Sequence, residues 1–324
     1  MITQTIKISE QASLKTYLWE PSEELAVASR PAVLVIPGGG YIMCSDREAE
    51  PVALAYAAEG FQAFVLRYTV REGFEPPFSE AKKALALIRE HAKDWGIGDG
   101  QIAVCGFSAG GHLACALGTM GKDRPDAMIL GYPAVLRSFW LKGGFDIPDM
   151  VERIGEQTCP AFIMGAEDDT TVPVENEIAL MDALRRHGVP FESHIYHRGG
   201  HGFSLAKKLT SSGDDAMINP RAEGWFALSV SWLKDTVGDI TLREKPKLPD
   251  GVSSAIHTKI SELLARESAK SILLSYSDAF ANDTIVRLVS EAPLSAFILS
   301  LGLTEEQILA LSFELERAIK QHDE

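Results

Sequence analysis

A chain of 324 residues, 46% of them hydrophobic, has room for one large domain and a small one, with enough apolar side chains to fill a sizeable core. Its 45 acidic and 31 basic residues give a net charge of −14, and no Lys/Arg cluster stands out, which argues against nucleic acid or an anionic membrane as partner. No basic segment leads into an apolar run near Met1, and no 18-residue apolar stretch occurs. A cytoplasmic chain, neither secreted nor membrane-spanning, is expected.

Residues 5–8 and 14–19 alternate well enough to open as an antiparallel pair. A polar link follows over 20–30. Residues 32–36 are a continuous apolar run, the pattern of a strand buried on both faces of a parallel sheet. It ends in Pro37-Gly38-Gly39-Gly40-Tyr41. Three consecutive glycines do nothing for packing; they let backbone N–H groups approach an anion or a developing oxyanion. A helix is predicted over 46–58, capped by Ser45 or Asp46 and followed by Gly60. A strand over 61–68 comes next, then a helix over 79–95 preceded by Pro76-Pro77.

Residues 102–105 form a short buried strand that runs into Gly106-Phe107-Ser108-Ala109-Gly110-Gly111. An alanine-rich helix pattern starts at His112. A strand that reverses sharply into a helix leaves no room for side chains two positions either side of the serine, which accounts for both glycines. The turn lifts the Ser108 hydroxyl above the sheet edge and puts the next N–H at a helix N-terminus, where negative charge is favoured.

A further strand is predicted over 127–130. From 133 to 151 the pattern is irregular and aromatic, with Phe139, Trp140 and Phe145. This insertion either meets substrate at the mouth of the sheet or packs its own rings on the surface. A strand over 160–164 leads into Gly165-Ala166-Glu167-Asp168-Asp169, a helix over 175–187 is closed by Gly188, and a strand over 191–196 leads into His197-Arg198-Gly199-Gly200-His201. Asn219 caps a helix over 220–233 that has proline in its first position. Strands alternating with helices make a mostly parallel, doubly wound α/β sheet. The polar, Pro-rich residues 241–251 read as a linker. Beyond it, helices are predicted over 252–266, 269–281, 284–291, 294–301 and 305–319, the last opened by a Thr304/Gln307 capping box. Cys44, Cys105, Cys115 and Cys159 form no C-x-x-C pair, and no cluster has zinc-ligand spacing. Free thiols in a reducing compartment, with no metal and no cofactor, are expected.

A serine hydroxyl is a poor nucleophile at neutral pH. It needs a base to take its proton, a group that holds the base in the right tautomer, and donors for the oxyanion that follows. Ser108, Asp168-Asp169 and His201 each follow a predicted strand, in the order serine, acid, histidine, and the glycine turn precedes all three. Pro37-Gly38-Gly39-Gly40-Tyr41, Ser45-Asp46-Arg47-Glu48-Ala49-Glu50-Pro51, Gly106-Phe107-Ser108-Ala109-Gly110-Gly111-His112, Asp169-Thr170-Thr171-Val172-Pro173 and Gly199-Gly200-His201-Gly202-Phe203 together resemble the bacterial α/β-hydrolase esterases grouped with xylan acetylesterases and feruloyl esterases. The resemblance covers about residues 5–235 and leaves out the helical tail.

The resemblance implies an α/β-hydrolase catalytic domain, taken over 1–240; the residue pattern adds a linker over 241–251 and a small all-helical domain over 252–324. It implies a serine carboxylesterase that removes short acyl groups, often acetyl, from sugars through an acyl-enzyme. In that pattern Ser108 is the nucleophile and His201 the general base, then the acid that protonates the leaving alcohol. The family spacing, four positions before the proline of Val172-Pro173, selects Asp169; Asp168, three positions after Gly165, is the alternative. The oxyanion donors are the N–H groups of Ala109 and of Gly39 or Gly40. Pro37 stands where lipase-type turns have histidine and has no N–H to offer. Tyr41 and Arg47 are the candidate substrate contacts; a surface ion pair is the other reading of Arg47 and Glu48. His197, His194 and His112 compete with His201, the latter two from positions suited to packing or hydrogen bonding. The expected partner is a small-molecule or oligosaccharide ester, with a homo-oligomer through the helical tail left open. Two other functions stay open. A prolyl-oligopeptidase-type serine peptidase shares the triad order, although the residues before the glycine turn leave no room for the usual propeller. A catalytically silent hydrolase fold acting as a binding module is the second.

Overall fold

Alternating side chains sort the strands of the first unit into one sheet with two buried faces. The computed structural model describes residues 1–22, 24–244 and 247–321, and the chain divides into two compact units, Met1–Arg243 and Glu244–Glu324. The strands are β1 (Ile2–Lys7), β2 (Ser13–Leu18), β3 (Val27–Ile36), β4 (Gln62–Arg67), β5 (Ile97–Phe107), β6 (Ala127–Gly131), β7 (Ala161–Ala166), β8 (Phe191–Tyr196) and the short β9 (Thr241–Leu242). Their order across the sheet is β1-β2-β4-β3-β5-β6-β7-β8, with β9 against β3. β1 and β2 run antiparallel, β2 meets β4 antiparallel, and every pairing from β4 through β3 to β8 is parallel.

Among the described residues, seven α-helices accompany the sheet: α1 (Glu50–Ala58), α2 (Glu75–Glu90), α3 (Ala109–Met120), α4 (Arg137–Lys142), α5 (Glu175–Arg186), α6 (Pro220–Glu223) and α7 (Trp225–Val237). Leu34, Ile36, Phe64, Val104, Leu130 and Ile163 point to one face, where α2, α3 and α5 cover them. Val33, Val35, Ala63, Val65, Cys105, Ile129 and Phe162 point to the other, beneath α1 and α7. Each such large side chain withdrawn from water contributes about 1.5–3 kcal/mol.

Two predicted helices of the first unit come out broken, and a third is shifted toward its N-terminus. The helix over 46–58 splits into a 3-10 turn, Asp46–Glu48, and α1, with Ala49 at φ −105° and ψ −106° between them. Pro51 has no N–H to bond back to the Arg47 carbonyl, so the helix cannot run through; that carbonyl accepts the Ser204 hydroxyl at 2.6 Å instead. Neither Ser45 nor Asp46 caps the turn with its side chain. The helix after Asn219 has the expected side-chain cap, then breaks at Gly224 into α6 and α7. The helix predicted over 79–95, after Pro76-Pro77, instead runs Glu75–Glu90 with both prolines inside it, because prolines fit a first turn whose N–H groups have no helical partner anyway.

The second unit has its own core of Ile256, Ile260, Leu263, Leu273, Phe280, Leu294, Ile298, Leu311 and Leu315. Its helices are α8 (Ile260–Leu264), α9 (Glu267–Tyr276), α10 (Asp283–Val289), α11 (Leu294–Phe297) and α12 (Glu305–Lys320). The helix predicted over 252–266 is replaced by a 3-10 turn and α8, because Lys259 is extended and bridges Pro293 while Ile260 N–H bonds Ala292. The Thr304/Gln307 capping box opens α12. The linker expected over 241–251 loses its first two residues to β9; residues 245 and 246 lie outside the described residues. Among the described residues no helix is long and apolar enough to cross a membrane.

Candidate active site

The turn between β5 and α3 holds Ser108 at φ 52° and ψ −117°, a backbone region that L-residues avoid. Neighbouring contacts enforce it. The Ser108 N–H donates to Gly131 at 2.9 Å, and its carbonyl accepts from His112 at 3.0 Å and Ala134 at 3.2 Å. A Cβ on Gly106 would lie 2.2 Å from the Gly110 carbonyl oxygen, and one on Gly110 would lie 2.2 Å from that of Ile36. The glycine spacing read from the sequence is therefore a steric demand of the bend.

Two distant loops meet the serine. His201, after β8, has Nε2 3.0 Å from Ser108 Oγ, and its Nδ1 lies 2.7 Å from Asp169 Oδ2. Asp169 is wholly withdrawn from solvent while His201 keeps a fifth of its side chain exposed. The other Asp169 oxygen accepts the N–H groups of Thr171 and Val172 at 2.8 and 2.9 Å, which fixes the carboxylate. A carboxylate only accepts, so the hydrogen-bond network assigns the proton to Nδ1 and leaves Nε2 to accept from Ser108. Asp168 points elsewhere: its Oδ1 accepts Gly199 and Gly200 N–H at 2.9 and 2.8 Å, tying the β7 loop to the histidine loop.

Among the described residues, none of the competing histidines sets a ring nitrogen on the Ser108 hydroxyl. His197 faces Glu167 at 3.6 Å, and His194 bonds Glu192 at 2.7 Å. His112 is fully buried, and burial pushes its pKa down to about 4. Its Nε2 must donate to the Pro148 carbonyl at 2.8 Å, so its Nδ1 accepts the Tyr41 hydroxyl at 2.9 Å. This overturns Tyr41 as a substrate contact. Its side chain is 1% exposed and turns into the core, where its hydroxyl finds a buried acceptor.

A cleft of about 490 Å³ opens over Ser108 and His201, bordered by Gly39 and Gly40, the rings of Phe139 and Trp140, and Met43, Arg47 and Ser212. Two rings of the aromatic insertion thus reach the mouth of the site. Among the described residues, the N–H groups of Gly39, Gly40 and Ala109 have no protein acceptor. Arg47 lines the cleft, but its Nη1 donates to the Gly202 carbonyl at 2.7 Å, so its side chain braces the histidine loop. Glu48 makes no ion pair with it. It is buried, accepting Gly38 N–H at 2.9 Å and the Tyr132 hydroxyl at 2.7 Å. The sequence carries little signal for that burial, because an acidic residue at a helix start usually faces water.

The BD-FAE family matches residues 19–132, and the Prolyl oligopeptidase family matches residues 147–213. MGS-M1, an alpha/beta hydrolase enzyme from a Medee basin deep-sea metagenome library, is 40% identical over 73% of this chain and 98% of its own, with a TM-score of 0.70. The acetyl ester-xyloside bifunctional hydrolase from Caldicellulosiruptor lactoaceticus is 30% identical over 73% of this chain and 97% of its own, with a TM-score of 0.63. An acetylxylan esterase of Xylanibacter ruminicola is 30% identical over 62% of this chain and 46% of its own length. The chain spans about a third to a half of the length of such curated relatives. Matched along nearly the whole of two solved structures at 30% identity or more, the chain belongs to the α/β-hydrolase esterases.

Proposed function

We propose that the protein is a serine carboxylesterase that removes short acyl groups, acetyl above all, from carbohydrate esters. The observation that carries this reading is the contact line Asp169–His201–Ser108, at 2.7 and 3.0 Å, running into a cleft edged by unpaired glycine N–H groups. In the mechanism, Ser108 Oγ attacks the ester carbonyl as His201 Nε2 takes its proton. Asp169 keeps the imidazole in its acceptor tautomer and stabilises the imidazolium. The oxyanion meets N–H groups of Gly39, Gly40 and Ala109, each such donor being worth about 3 kcal/mol in the transition state. Collapse expels the alcohol with the proton from His201, leaving the acyl group on Ser108. Water, deprotonated by the same histidine, then releases the acid.

The sugar-ester preference draws on relatives named for acetylxylan and acetyl ester-xyloside hydrolysis. A cleft of roughly 490 Å³ with Phe139 and Trp140 at its rim suits a small acyl group and a pyranose against an aromatic face. A cytoplasmic setting belongs to the same reading, since all four cysteines are free. The test is an acyl series on p-nitrophenol (acetate, butyrate, octanoate) beside acetylated xylooligosaccharides. Acetate should be turned over fastest, and Ser108→Ala should abolish all of it; activity confined to octanoate would overturn the acetyl preference. The prolyl oligopeptidase match over 147–213 supports a second reading, a serine peptidase. A proline-containing peptide cleaved faster than any ester would establish it.

A further inference from the structure

Glu48 is 3% exposed, yet no cationic side chain lies within ion-pairing distance of it among the described residues. A carboxylate out of water is costly unless donors meet its oxygens. Here both donors are neutral and come from different walls of the site. Oε2 accepts the N–H of Gly38, in the glycine turn, at 2.9 Å, and Oε1 accepts the hydroxyl of Tyr132, at the end of β6, at 2.7 Å. The Tyr132 oxygen accepts in turn the N–H of Ser204 at 3.1 Å, in the loop that carries His201. The Tyr132 ring stands edge-on to the His201 imidazole, with centroids 5.0 Å apart.

The rest of the glycine turn shows what this bond accomplishes. Gly38 O accepts Ser45 N–H at 3.0 Å, and Gly39 O accepts Ile42 and Met43 N–H at 2.9 and 3.1 Å. Its carbonyls thus point inward, and Glu48 engages the first of the three glycine N–H groups. Those of Gly39 and Gly40 are left for the cleft. The fit has no slack: a Cβ on Gly38 would lie 2.7 Å from Glu48 Oε2 and 3.0 Å from Ser108 Cβ.

We infer that Glu48 is a positioning residue: its carboxylate aims the oxyanion turn and, through Tyr132, holds that turn in register with the histidine loop. The inference rests on the serine-esterase reading above. Glu48 borders the cleft, but a protein donor occupies each of its carboxylate oxygens, so its effect should fall on transition-state binding rather than on substrate binding.

The experiment uses the full-length protein with Glu48→Ala, Glu48→Gln and Tyr132→Phe. It measures kcat and KM on p-nitrophenyl acetate and the inhibition constant of an alkyl boronic acid, whose tetrahedral serine adduct reports the oxyanion site. Glu48→Ala should lower kcat by about 100-fold, the loss typical of one oxyanion donor, with KM within about threefold, and weaken the boronate by a similar factor. Glu48→Gln, which can accept at one oxygen only, should lose about tenfold in both. Tyr132→Phe keeps the Gly38 bond and should lose less than Glu48→Gln. Folded Glu48→Gln, with an unchanged thermal midpoint and wild-type kcat and boronate affinity, overturns the inference. So does a loss of activity that only follows the folded fraction. Should Glu48→Ala fail to fold, Glu48→Gln and Tyr132→Phe decide the matter alone. A wild-type protein that hydrolyses no ester and takes no fluorophosphonate at Ser108 overturns the esterase reading and this inference with it, whereas a negative confined to the variants overturns the inference alone.

Discussion

Asp168 and Asp169 are adjacent, chemically identical, and do different work because the β7 loop points them apart. Asp169 lies out of solvent against His201 Nδ1, while Asp168 collects two backbone N–H groups of the histidine loop. On the mechanism proposed above, Asp169→Asn should lower kcat by about 10⁴-fold, because an amide there favours the wrong imidazole tautomer. Asp168→Asn should cost less than about tenfold, since an amide oxygen can still accept from Gly199 and Gly200; steady-state kinetics on p-nitrophenyl acetate separate the two. Glu177 makes a different prediction. It is fully buried on α5, neither carboxyl oxygen has a partner among the described residues, and burial raises its pKa to about 8. A carboxyl whose folded pKa lies above its unfolded value near 4.5 contributes stability that is fully present below that value and is lost as pH rises through about 8. Thermal midpoints from pH 5 to pH 9 should therefore fall more steeply for the wild type than for Glu177→Gln. Parallel curves would rule this out. Ser108 and His201 were legible because the chemistry dictates residue type and order. The choice between the two aspartates rested on the family spacing before the proline of Val172-Pro173, which selects Asp169, the carboxylate that the backbone turn aims at His201 Nδ1.

At the scale of elements, the bend between β5 and α3 is the least forgiving part of the molecule. Gly110→Ala puts a methyl group 2.2 Å from the Ile36 carbonyl and 2.4 Å from that of Pro37, and backbone cannot step aside as a flexible side chain can. The variant should lose several kcal/mol, or fail to fold, in chemical denaturation. Thr304→Ala removes the side-chain half of the α12 capping box and should cost about 1 kcal/mol, read as a lower melting transition of the tail. The Asn219 cap and the Thr304/Gln307 capping box were legible here, because the preference is local. The expected Ser45 or Asp46 cap, by contrast, is not made, and Pro76-Pro77 lie inside α2 instead of before it. The breaks at Ala49 and Lys259 were not legible: one leaves the Arg47 carbonyl free for Ser204, the other admits the Pro293 bridge, and both partners are remote in sequence.

At the scale of the whole molecule, the two units have separate apolar cores, one pair of clusters around the sheet and one cluster among α8 to α12. β9 belongs to the sheet through its pairing with β3, so a cut after Arg243 spares every strand. We expect the piece Met1–Arg243 to melt cooperatively and to keep its p-nitrophenyl acetate kcat/KM within about threefold, since every group assigned to the chemistry lies inside it. A truncated protein that folds but has lost activity would instead assign the tail a part in the site.

What the sequence determined by itself was whatever short-range sterics and periodicity dictate: buried apolar runs as strands of a parallel sheet, glycines at a bend too tight for side chains, and a serine, an acid and a histidine in catalytic order. Tertiary structure alone decided orientation. It turned Tyr41 into the core against His112, set Arg47 on Gly202, and buried Glu48 between the oxyanion turn and Tyr132. Those outcomes follow from which donors and acceptors distant segments bring together, and a polar side chain carries no mark of its eventual partner until the chain has closed around it.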